Sequence, residues 1–238
     1  MANLAYNLAI ETSSRQGAIA LGRGDQMLCA IDLPTPRRHR VDLMPSVANL
    51  CIQHDIKPAD LAEIYVSIGP GSFTGLRIAV TTAKVISMIT GAKIIAVPTL
   101  DVVAQNVRAC DDILAVALNE KHDTVFGGLF EHDGKRWSPT TTPDVQTLQQ
   151  LLPDSESFGK RKVQLLGEKL PSVPSCDGLV VLDSELAKPQ VSHVWQLGQL
   201  LASDQQVVDA YALVPLYARE PEAVKLWEQN KNKRVTCA

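Results

Sequence analysis

The sequence predicts an α/β protein of two halves, each a mixed sheet flanked by helices, and three observations predict it. Three short apolar runs open the chain, separated by gaps too tight for a crossover helix. Helical and strand patterns then alternate, so the sheet must continue with parallel strands. The same order restarts past residue 104, which divides the chain into 1–104 and a reduced second half, 105–238. A three-stranded meander continued by β-α-β units matches the ribonuclease H-like halves of the actin, sugar-kinase and Hsp70 architecture. Doubly wound folds that begin β-α-β are excluded by the tight early turns.

In order, Tyr6 to Glu11, Gly17 to Leu21 and Met27 to Leu33 read as the antiparallel meander. Val41 to Gln53 is a helix with Leu43, Val47, Leu50 and Cys51 at helical spacing. Ile64 to Ile68 is a covered β-branched strand, followed by the loop Gly69-Pro70-Gly71-Ser72-Phe73-Thr74-Gly75 and a helix from Leu76 to about Thr90. Lys93 to Val97 is the next strand, and Thr99 is expected to cap a helix from Leu100 to about Ala109. The second half offers strands at Ile113 to Leu118 and Thr124 to Glu131, then an Asp133-Gly134 turn. A helix capped by Asp144 and running to Leu152 is expected next, then strands at Val163 to Leu166 and Leu179 to Leu182. Pro189 opens a last helix (about 190–203), a candidate to pack back on the first half, with Val194, Leu197, Gly198 and Leu201 on one face.

The helix after the Gly-rich loop is the unusual element. Arg77, Thr81 and Lys84 form one polar stripe, while most other positions are small or apolar. A surface helix normally keeps a polar half. This one therefore needs two covers: its own sheet and something else.

Composition excludes several classes. With 45% apolar residues, 21% charged and a net charge of -3, the chain reads as a soluble globular protein that does not grip nucleic acid by itself. The basic groups at Arg37-Arg38-His39-Arg40, Lys160-Arg161-Lys162 and Lys231-Asn232-Lys233-Arg234 read as solvated loops and a tail. Five scattered cysteines, none paired as Cys-x-x-Cys, fit a reducing cytoplasm. No basic segment followed by a long apolar one opens the chain, and Arg77 and Lys84 interrupt its most apolar helix, so neither a secretory signal nor a membrane span is expected.

For chemistry, Gly71, Ser72, Thr74 and Gly75 form a candidate anion or nucleotide loop ahead of a helix. Yet Gly75 is followed by Leu76-Arg77 where a Walker loop requires Lys and Ser or Thr, and G-x-G-x-x-G is absent. A tight turn and close helix packing, with Ser72 or Thr74 as the cap, is the preferred reading. No two histidines stand three or four apart on a helix, so no metal site is expected. Glu11 and Asn119 close the first strand of each half, where nucleotide-using proteins of this architecture place aspartates for magnesium; Asn119 has no charge. Glu120, Lys121 and Asp123 read as a solvated turn. No G-x-S-x-G elbow exists, and no catalytic residue is assigned.

The run Ile68 to Ile78, with Gly69-Pro70-Gly71-Ser72-Phe73-Thr74-Gly75-Leu76-Arg77 inside it, resembles the signature of the TsaB (YeaZ) family. Leu8-Ala9-Ile10-Glu11-Thr12-Ser13-Ser14 is similar to that family's opening, with Glu11 in place of its usual Asp. His39 with Leu43, Met44 and Pro45, then Val97-Pro98-Thr99-Leu100 and Pro215-Leu216-Tyr217-Ala218-Arg219, extend the likeness. Asn119-Glu120-Lys121 departs from the family's Asp-Ala-Arg.

The resemblance implies a non-catalytic subunit that pairs with a TsaD-like paralogue bearing the metal-binding histidines. A TsaE-like ATPase docks on the pair, and the assembly transfers threonylcarbamoyl to adenosine beside the anticodon of tRNA. ATP is used by the complex, this chain alone binds no cofactor, and tRNA is met only through the complex. In isolation the chain is expected to form a homodimer through the same helix. The implied partner residues are Phe73, Arg77, Ile78, Thr81, Lys84, Val85, Met88 and Ile89, with Ile86 a further apolar candidate. Which of them face the home sheet stays open. The readings set against this one are an autonomous ATP-dependent phosphotransferase and a glycoprotease-like metallohydrolase.

Overall fold

The computed structural model describes residues 5–36, 38–120, 123–152, 161–174 and 178–218. Arg37, Lys121, Lys160, Arg219 and the basic 231–234 tail, all noted in the sequence, lie outside the described residues.

The first sheet runs β3-β2-β1-β4-β5, from β1 (Tyr6–Glu11), β2 (Ala18–Arg23), β3 (Gln26–Asp32), β4 (Leu61–Gly69) and β5 (Lys93–Pro98). β1 pairs antiparallel with β2 and parallel with β4, so it is the hinge between the meander and the crossover half. The second sheet repeats this plan as β11-β10-β6-β7-β8, with β6 (Ile113–Asn119), β7 (Thr124–His132), β8 (Trp137–Pro139), β10 (Val163–Glu168) and β11 (Leu179–Val181). The corresponding hinge is β6, antiparallel to β7 and parallel to β10.

Period-two alternation sorts each strand's side chains between two helical layers. Leu8, Ile10, Ile19 and Leu21 face α1 (His39–Gln53) and α2 (Phe73–Thr90), meeting Leu43, Val47, Ala79 and Ala83. Ala9, Ala18, Ala20 and Tyr65 face the other way, onto α5 (Val191–Ser203). The alanines leave room for Trp195, whose Nε1 donates to Asn7 Oδ1 at 2.5 Å. α5 thus belongs to the first sheet's layer although it follows the second sheet in sequence. Between the sheets, α3 (Thr99–Ala104) packs Leu100 and Val103 against Val116, Phe126 and Leu166.

Two expectations are corrected. The stretch after Pro143 is not a helix capped by Asp144. Asp144–Thr147 forms β9 on β7, and only a single turn, α4 (Leu148–Leu151), follows. Thr147 and Gln150 cap that turn reciprocally, the S/T-x-x-Q signature that places its start three residues later. Thr99 is not a cap either: it is the first residue of α3, its Oγ1 bonds Ser67 Oγ of β4 at 2.9 Å, and α3 ends at Ala104.

Gly198 sets how closely α5 approaches the sheet, since a Cβ there would lie 2.2 Å from Cγ of Tyr65. Gly198→Ala is therefore expected to cost about 1–3 kcal/mol of stability, read as a lower urea midpoint with unchanged slope.

Candidate functional site: the Gly-rich loop and the faces of its helix

The loop between β4 and α2 is held from below by the end of β1. Glu11 is 1% exposed, and its Oε1 accepts from both the backbone N–H and the hydroxyl of Ser13, each at 2.5 Å. Ser13 O then accepts from Ser72 N at 2.6 Å, and Ser72 Oγ accepts from Gly75 N at 3.2 Å to cap α2. Thr12 Oγ1 donates to Gly75 O at 2.8 Å. The glycines permit this contact: a Cβ on Gly71 would meet Ser13 O at 2.4 Å, and one on Gly75 would meet Thr12 O at 1.9 Å. Of the candidate anion residues, Ser72 and Gly75 thus have their N–H groups engaged inside the chain.

Burial raises the Glu11 pKa above its ordinary value, while hydrogen bonds from Ser13 and Ser67 act against the rise. Its Oε2 finds no partner among the described residues. The carboxyl props the loop rather than facing the cleft between the sheets. That cleft, about 290 Å³, is lined by Ser13, Arg15, Asn119, Lys169, Lys188 and one carboxylate, that of Glu168. Among the described residues no three of His, Cys, Asp and Glu gather as a metal cluster. Glu120 and Asp123 sit in the β6–β7 turn, with Glu120 N bonded to Thr124 O and Asp123 at a φ of 59°.

α2 divides into an inward and an outward row. Gly75, Leu76, Ala79, Val80, Thr82, Ala83 and Ile86 are buried in the home core. Outward stand Phe73, Arg77 and Thr81, then Val85 at 45%, Met88 at 59% and Ile89 at 76% exposure, while Ile78 and Lys84 are half-buried. Ile86 therefore faces home. α2 is the one helix among the described residues long and apolar enough to cross a membrane, but its inward row is built into the sheet.

Two polar residues of the stripe are tied within the chain by a strap that follows α5. Residues 207–218 run back along α2, from an isolated bridge between Val208 and Ile94 to a bond from Leu216 N to Ile68 O at 2.8 Å. Arg77 stacks over the Phe73 ring at 4.3 Å and donates from Nε to Tyr217 OH at 3.1 Å, and Lys84 Nζ donates to Tyr211 O at 3.4 Å. The strap gave no periodic signal in the sequence. Sequence reasoning found α1 but missed its outward row: the helix packs beside α2 and turns Val41, Met44 and Ile52 outward. Their i, i+3, i+11 spacing was legible as a second apolar stripe opposite Leu43, Val47 and Leu50.

Where the first turns of α1 and α2 meet, a cavity of about 640 Å³ is lined by Arg15, Arg38, His39, Arg40, Thr74 and Ile78, with Ser72 and Gly75 behind. The reading of 38–40 as solvated loop is corrected here. His39 opens α1, is 4% exposed and has its Nε2 3.1 Å from Ser14 O, which holds Arg38 and Arg40 to either side of it.

Two ribonuclease H-like sheets around a narrow cleft, with an apolar helix pair uncovered on one of them, define the class of protein. A model of the family TsaD, tRNA N6-adenosine threonylcarbamoyltransferase, matches residues 34–223, and the chain belongs to that family. It is 28% identical to the tRNA threonylcarbamoyladenosine biosynthesis protein TsaB of Bacillus subtilis, covering 94% of this chain and 98% of the relative. Identity to the protein of the same name from Escherichia coli is 23%, over 92% of this chain and 96% of the relative. Among solved structures, YeaZ from Pseudomonas aeruginosa superposes with a TM-score of 0.74 at 22% identity, over 90% of this chain and all of that one. A second structure, described as an uncharacterized protein with similarity to peptidase YEAZ from Pseudomonas aeruginosa, gives a TM-score of 0.75 at 21% identity, over 91% of this chain and all of that one.

A carboxyl whose folded pKa is raised favours folding in its neutral form. That contribution is present below the unfolded pKa and is lost as pH rises through the folded value. Glu11→Gln keeps the accepting oxygen and cannot ionise. The variant is expected to gain stability relative to the parent as pH rises above about 5, the two converging at the acid end, as read from urea midpoints.

Proposed function

We propose that this chain is a non-catalytic subunit of a cytoplasmic tRNA-modifying assembly, in which a TsaD-like paralogue seats on the α1–α2 face. The observation that carries this is the outward row of α2. Val85, Met88 and Ile89 leave an apolar stripe in water, and α1 widens it with Val41, Met44 and Ile52. Such a face is the mark of an unmet partner. Membership in the family and the likeness to the two biosynthesis proteins support threonylcarbamoyladenosine formation in tRNA as the pathway. The paralogue then transfers threonylcarbamoyl to adenosine next to the anticodon, and a TsaE-like ATPase acts on the pair with ATP. This chain contributes surface, not reacting groups: Glu11 is turned onto Ser13, and Asn119 brings no charge to the cleft. In the absence of the paralogue a second copy covers the same stripe, since a two-fold pair buries the same area.

Val85→Asp and Met88→Asp place a carboxylate where the partner must exclude water, weakening association by on the order of several kcal/mol. Both positions are exposed, so the monomer's unfolding midpoint is expected to stay close to that of the parent, whereas Ile86→Asp unfolds it. Complex mass after mixing with the paralogue, together with the yield of modified tRNA, reads the effect. Full retention of the complex by both surface variants and by Met44→Asp removes the proposal.

A further inference from the structure

The arginine-lined cavity at the first turns of α1 and α2 adjoins the pairing face just described and shares Val41 with it, but its arginines are not used by that face. Arg15, Arg38 and Arg40 are all exposed, and none of their side chains has an ion pair or hydrogen bond among the described residues. No carboxylate lines the cavity, and Asp42, the acidic residue of α1's first turn, is outside its lining. Three unpaired guanidinium groups gathered in one place, on a chain of net charge -3, form a local field that the overall balance hides. Their backbone positions are also held together: buried His39 anchors the chain at Arg38 and Arg40 through its contact with Ser14 O, next to Arg15.

We propose that Arg15, Arg38 and Arg40 bind the phosphate backbone of RNA, so that this chain touches the RNA substrate directly rather than only through its partner. The inference rests on the tRNA pathway of the proposed function but not on the α1–α2 pairing. Guanidinium forks match phosphate oxygens and lose no charge at any physiological pH. A magnesium nucleotide fits less well, because its metal calls for carboxylate ligands and the lining supplies none. On the other flank of α2's first turn, Phe73, Arg77 and Tyr217 form an exposed ring and guanidinium stack, the chemistry that holds an unpaired base. Phosphate contacts beside a stacking surface describe a single-stranded stretch of RNA.

The test uses the full chain, alone and with its paralogue, titrated with labelled tRNA and with its isolated anticodon arm, against ATP with magnesium. Three neutralised phosphates give a slope of log affinity on log salt of about -2, or roughly a 20-fold loss between about 50 and about 200 mM salt. Arg15→Ala/Arg38→Ala/Arg40→Ala is expected to lose at least about tenfold in RNA affinity and to flatten that slope, while the triple Lys variant keeps most of both. A Tm equal to the parent's shows that the alanine variant is folded, and its complex mass with the paralogue is expected to be unchanged. Failure of the parent chain to pair with the paralogue while it still binds RNA would count against the proposed function and not against this site. Three outcomes overturn the RNA site: no RNA binding by the chain or its complex, an unchanged slope in the folded alanine variant, or ATP bound at these arginines without competition from RNA.

Discussion

The contact on which the rest depends is the seating of α2's first turn on the end of β1. Thr12 and Ser13 present backbone oxygens upward, and Gly71 and Gly75 come down onto them at distances no side chain permits. Everything functional is placed by that contact. It fixes the direction in which α2 leaves the sheet, and hence which row of side chains is buried and which is left outside. It also brings Ser72 and Thr74 to the cavity that His39 and the arginines complete. A phosphate-cradling loop leaves its N–H groups pointing at open space. Here Ser72 and Gly75 direct theirs into the chain, so the same glycine spacing yields a rigid helix mount.

Glu11 shows how one methylene changes the use of a position. A carboxylate at the end of the first strand is placed to reach into the cleft in this architecture. The longer glutamate folds back to Ser13 and is sealed away, where burial favours its neutral form. What remains of the cleft is lined by hydroxyls, an amide, basic groups and the single carboxylate of Glu168 at its rim. The carboxyl that ends the first strand thus serves the foundation of the helix.

Much of the architecture was legible because the signals were local. Period-two apolar runs with gaps too short for a crossover helix define the meander. The β-branched strand before Gly69 and the small-residue helix after it define the crossover. The Asp144 region misled because capping residues occur in strands' turns as well as at helix starts, and the deciding Thr147 and Gln150 pair lay three residues on. Within the site, the sequence identified α2 as doubly covered but could not divide its rows. Ile86 and Ile89 are alike in sequence, and only the helix's tilt on β4 and β5 buries one and exposes the other. The arginine cavity was illegible for a different reason. Arg15 and Arg38 are 23 positions apart, and their proximity is created by the pairing of β1, β2 and α1 rather than by any motif.

The strap carries a consequence for how the molecule is made. Leu213 is buried in the core shared by α1 and α2, and a Cβ on Gly69 would meet Leu216 O at 2.3 Å. Trp195 likewise fills the opposite side of the same sheet. During synthesis, then, the first sheet cannot be closed on either side until the distant segment 191–216 has also left the ribosome, and until then it offers greasy surface to chaperones.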